Sequence, residues 1–98
     1  MTAPATGRPV LTHLYEWGVV ADVRGRPRLL PAGVTNHALQ ARALMLEALG
    51  AVPGGLPATG WVTEIDVVRD GFDRRQTSVL VMRDASGAVL WLTGCAGE

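Results

Sequence analysis

Residues 77–93 read TSVLVMRDASGAVLWLT, and this stretch decides the fold. Asp84, Ala85, Ser86 and Gly87 have turn chemistry: an aspartate bonds the backbone ahead of it, and a glycine takes the left-handed conformation near the turn's end. The flanks are rich in β-branched, aromatic and long aliphatic residues, so the stretch predicts two antiparallel strands, 77–83 and 88–93, joined by a tight hairpin. Side chains alternate along a strand. Val79 and Val81 therefore share one face, and Leu80 and Met82 the other; Val89 and Trp91 oppose Leu90 and Leu92. A sheet with one wet face shows polar residues on that face. Here both faces are apolar.

Working outward, residues 61–69 alternate in the same way. Trp61, Thr63, Ile65 and Val67 point one way, and Val62, Glu64, Asp66 and Val68 the other. The intervening DGFDRRQ, residues 70–76, reads as a polar loop, and AVPGGLPATG, residues 51–60, as linker. The run HALQARALMLEAL, residues 37–49, predicts a helix with Thr35 or Asn36 as its cap and Gly50 at its end. At 100° per residue, Ala38, Leu39, Ala43, Met45, Leu46 and Leu49 form its main apolar arc, with Arg42 inside it. Leu44 falls outside, near His37, Ala41 and Ala48.

Nearer the start, Tyr15, Trp17, Val19, Ala21 and Val23 alternate with Glu16, Gly18, Val20 and Asp22 as a strand. Arg24-Gly25 turns the chain. Arg28-Leu29-Leu30 returns as a short edge strand framed by Pro27 and Pro31, which cannot donate to a ladder. The expected fold is α+β: a five-stranded, mainly antiparallel sheet in the order β-β-α-β-β-β, with one helix on one face. The expected organisation is an N-terminal arm over 1–12, a single domain over 13–94 and a short tail over 95–98.

A chain of 98 residues suits one domain. All nine basic residues are arginine and nine acids cancel them. A zero balance removes the long-range field that draws proteins to nucleic acid or anionic membranes. The absence of lysine suggests a GC-rich bacterial genome. Cys95 is the single cysteine, which excludes an internal disulfide and a multi-cysteine metal site. The opening MTAPATGRPV does not resemble a signal peptide, and no apolar run reaches membrane-spanning length, so the expected location is cytoplasmic.

The functional expectation follows from the two-faced apolarity. One helix cannot cover five strands on both sides, and monomers seldom leave large apolar patches in water. The pattern favours a small non-enzymatic interaction or regulatory protein that self-associates through an apolar sheet face. Its interface candidates are Leu80, Met82, Leu90 and Leu92, with Leu44 in support; a homodimer is the first expectation and another protein the second.

The alternative is a nucleic-acid-binding module. Arg24, Arg26 and Arg28, with Arg8 upstream, put guanidinium groups on a hairpin, and Arg74 and Arg75 supply a second anchor. Against it, charges of this kind also protect an edge strand from aggregation. A third reading takes Glu64 and Asp66 as paired carboxylates on one strand face; the simpler account is a solvent-facing pair bonded to a cross-strand arginine such as Arg83. His13, His37 and Cys95 share no catalytic or metal-ligand spacing, and no cofactor or metal is expected. Tyr15, Trp17, Trp61 and Trp91 are expected in the core. Phe72, in the polar stretch, is either a partner anchor or a ring folded back over the sheet end.

Overall fold

The structure, a computed structural model, describes residues 9–93. The element order is β1 (Val10–Val23), β2 (Arg26–Thr35), α1 (Ala38–Gly50), β3 (Ala58–Val68), β4 (Gly71–Arg83) and β5 (Val89–Thr93). The strands form one antiparallel sheet in the order β2-β1-β3-β4-β5, and the fold is α+β. Residues 1–8 of the expected arm, Gly94 and the expected tail at 95–98 lie outside the described residues. Val10, Leu11 and Thr12, expected in the arm, instead open β1.

Turn chemistry sets both outer hairpins. Arg24 and Gly25 take positive φ of 54° and 79°, the pair of values that matches the twist of the flanking strands. Asp84 to Gly87 forms the last turn, with Gly87 at φ 94°. Between β3 and β4 the turn is only Arg69-Asp70, because Val68 pairs with Gly71. The expectation of a polar loop at 70–76 is therefore corrected: only Asp70 stays in the turn, and Gly71 to Gln76 are strand. Register shifts between Val62 and Ile65 absorb extra residues of β4. Its charges are held by ion pairs, Arg74 Nε to Glu16 at 3.2 Å and Arg75 Nε to Asp66 at 3.5 Å.

Helix α1 packs against β1, β3 and β2. Its buried residues are Ala41, Met45 and Leu49, a stripe at four-residue spacing. The expected arc is only partly right: Met45, Leu46 and Leu49 face the sheet, but Leu39 is 78% exposed, and Ala41 lies in the core. The helix is so uniformly alanine and leucine that its own sequence barely distinguishes its sides. Neither proposed cap closes its start by the usual geometry. His37 is the N-cap residue, and Thr35 Oγ1 accepts its backbone N–H at 3.3 Å.

Under the helix lie Val19 and Ala21 of β1, Ala58 and Val62 of β3, and Val79 and Val81 of β4. Gly60 makes room for Met45, whose sulfur occupies the space a β-carbon would need. Arg83 completes this side. Its guanidinium donates to the carbonyls of Leu49, Val52, Pro53 and Leu56 at 3.0–3.1 Å, clasping the helix end and the following loop to β4. Arg83 is thus not the partner of Glu64 or Asp66.

Candidate interaction face

The pairing register, followed through the bulges at which simple alternation breaks, arranges the opposite face of the sheet in rows. The first row is Leu29, Val20, Thr59, Met82 and Leu90, and the second is Ala32, Gly18, Trp61, Leu80 and Thr93. The third is Val34, Glu16, Thr63 and Thr77. Leu14, Ile65 and Arg74 make the fourth, and Thr12, Val67 and Phe72 the fifth. Two apolar rows five strands wide thus meet a polar row, beyond which an apolar trough runs along three strands. Among the described residues no element packs over this face. Leu29, Val34, Phe72, Met82 and Leu90 are exposed on it.

Of the residues singled out by sequence, Leu80, Met82 and Leu90 lie together here, in the first two rows. Leu92 sits at a register shift between β4 and β5, where β5 carries an extra residue; it is exposed at the sheet's edge. Leu44 belongs to α1, on the other side of the sheet, and does not extend the same patch.

Sequence reading missed Val20, Leu29, Val34, Ile65 and Phe72 as members of this face, and it placed Trp61 in the core. Trp61 instead points away from the helix and lies over Gly18. The signal was present: Trp61, Ile65 and Val67 share parity with Thr63. It had no direction, because both sides of β3 carry apolar residues. The other rings do face the helix side. Tyr15, Trp17 and Trp91 pack against the core, and the Arg42 guanidinium stands 5.0 Å from the centre of the Trp91 ring.

Two shallow depressions mark the ends of the open face. One, of about 320 Å³, is lined by Val20, Asp22, Pro27, Pro57, Thr59 and Met82 among others. The second, of about 330 Å³, is lined by Leu14, Val34, Ile65, Val67 and Phe72, with the Glu16–Arg74 pair on its rim. The Arg74 guanidinium also sits 5.3 Å from the centre of the Phe72 ring.

The arginines of the nucleic-acid reading do not converge. Arg24, Arg26 and Arg28 surround a depression at the β1–β2 turn. Arg74 pairs across the sheet with residues level with Leu14, about ten residues and thus ~33 Å along β1 from that turn. Being consecutive in a strand, Arg74 and Arg75 point to opposite faces, and each is paired with a carboxylate. Glu64 and Asp66 do share the helix-side face. Asp66, however, is held between His13 Nδ1 at 2.8 Å and Arg75, and neither carboxylate lines any of the three depressions described above. No group of three or more metal-ligating side chains occurs among the described residues. No helix among them is long and apolar enough to cross a membrane.

No family model, curated protein or solved structure matches this chain. The functional reading therefore rests on the surface itself.

Proposed function

We propose that this chain is a non-enzymatic protein-interaction module that self-associates through the open face of its sheet. A single observation carries the reading: the helix and the loop clasped by Arg83 pack on one side of the sheet, while the other exposes Leu29, Met82 and Leu90 along two apolar rows, and Val34 and Phe72 beside a trough whose floor, Ile65, is buried. Burial of apolar surface drives association, and patches of this breadth are unusual on monomers. The face is five strands wide over its first two rows and narrows to three strands at the trough, giving on the order of 600 Å² per copy. Stable interfaces bury roughly 600–1,000 Å² per partner, and this face lies at the lower end of that range. The zero net charge adds no long-range repulsion between copies.

The nucleic-acid alternative has to stand on Arg24, Arg26 and Arg28 alone, since Arg74 and Arg75 are distant from them and already paired.

Sedimentation equilibrium at micromolar concentration tests the proposal. The wild-type chain is expected as a dimer, and Met82→Glu with Leu90→Glu as a monomer with an unchanged circular-dichroism spectrum. Leu39→Glu is the control, because that equally apolar position lies on the helix; it should leave the dimer intact. A wild-type chain that stays monomeric removes the reading.

A further inference from the structure

The open face has a symmetry that its rows make visible. The polar row of Glu16, Thr63 and Thr77 lies midway between the wide apolar rows at one end and the trough at the other. We propose that the occupant of this face is a second copy of the chain, stacked face to face with its strands antiparallel, about a two-fold axis running along that polar row. This arrangement rests on the self-association reading above and makes it specific.

Three observations carry it. First, neither apolar region is large enough alone. The two wide rows cover about 24 Å by ~13 Å, or ~300 Å² per copy, well below the ~800 Å² per partner of a stable interface. An axis on the middle row lays the wide rows of each copy over the trough of the other, so that both regions of each copy are buried together.

Second, the shapes match. Phe72, 53% exposed at the trough end, is the projecting aromatic of this face. The proposed axis carries it to the end where Val20, Pro57 and Met82 line the first depression. An aromatic anchor seated in an apolar pocket is the usual centre of binding energy.

Third, the charges match. Asp22 lies just beyond the first row and Arg69 just beyond the fifth, and neither has an ion pair among the described residues. The two-fold brings Asp22 of each copy to the end where Arg69 of the other stands. An axis parallel to the strands instead keeps Asp22 at the same end as the other copy's Asp22, and Phe72 at the same end as its Phe72, which gathers like charges at one end and leaves the depression empty. Near the proposed axis, Glu16 and Arg74 already neutralise one another within each copy.

Cross-linking decides the arrangement, using the full chain with Cys95→Ser. A cysteine on the axis row meets its own copy, so Thr77→Cys should oxidise to a disulfide-linked dimer in more than nine-tenths of molecules. Leu90→Cys, some four residues of strand from the axis, should not link. Phe72→Ala, at an exposed position, should raise the dissociation constant at least tenfold with the fold unchanged. A dimer in which Leu90→Cys links and Thr77→Cys does not overturns the antiparallel stacking while leaving self-association standing. A dimer in which neither links overturns it as well. A monomeric wild-type chain overturns both readings together.

Discussion

The indole of Trp61 lies across the backbone of Gly18 on the neighbouring strand, so close that a β-carbon at position 18 would stand 2.6 Å from its Cζ2 and Cη2 atoms. The two residues are register partners on the open face. The largest ring of that face is thereby turned toward β1, over the one residue of its row that carries no side chain.

Gly18→Ala should therefore destabilise the fold by about 1–3 kcal/mol, the usual cost of forcing an extra carbon into a packed site. Combining it with Trp61→Leu should reduce that cost sharply, since the clash is with the ring alone. Urea unfolding of the four chains checks this. The comparison needs a single fixed protein concentration, because association itself adds to apparent stability.

Across the sheet, Met45 is fully buried and its side chain fills the space above Gly60. Met45→Ala leaves a cavity beneath the centre of the helix and should cost about 2–5 kcal/mol. Thermal unfolding reads the loss. A near-neutral result would mean that α1 settles onto β3 without it.

How much of this was legible in the sequence depends on the range of the forces involved. The Asp84–Gly87 turn and the alternation of Val79 to Met82 are written in neighbouring residues, and they were readable. The strand at Gly71–Gln76 was not. Its residues are polar, and what places them is pairing with Ile65 to Val68 of β3 together with the Arg74–Glu16 ion pair, whose partners are 58 residues apart. The helix stripe was blurred because alanine and leucine occur all round α1. The candidate face was half visible: Leu80, Met82 and Leu90 stood out because their own hairpin is apolar on both sides. Leu29, Trp61 and Phe72 joined them only once the strand order β2-β1-β3-β4-β5 was known.

Asp84 supplies the acid dependence. Its Oδ1 accepts the Ser86 hydroxyl at 2.6 Å and the backbone N–H groups of Ser86 and Ala88 at 2.9 and 3.0 Å. The Ser86 hydroxyl most of all, then these N–H groups, holds its pKa below the ordinary carboxylate value. A carboxylate with a depressed folded pKa contributes stability that is present above its unfolded pKa and lost as pH falls through the folded one. Amide exchange in β5 should accordingly stay slow from neutral pH down to the ordinary carboxylate range, after correction for intrinsic rates, and quicken below it. Asp84→Asn should quicken β5 exchange already at neutral pH and flatten that acid limb.

Arg83 is the last and most demanding case. It is a half-buried arginine whose partners are four backbone carbonyls, at Leu49, Val52, Pro53 and Leu56. Helix α1 has no basic residue in its last turn, so this guanidinium also supplies the positive charge that a helix C-terminus favours. A lysine keeps the charge but has a single nitrogen and cannot span all of these acceptors. Arg83→Lys should thus lose about 1–3 kcal/mol through unsatisfied carbonyls, and Arg83→Met should lose more by removing the charge as well. The loss should appear first as faster amide exchange at Ala51 and Val52, whose N–H groups close the helix end, and only then in global unfolding. Equal protection of those amides in all three chains would show that the loop holds itself, and that the clasp is incidental.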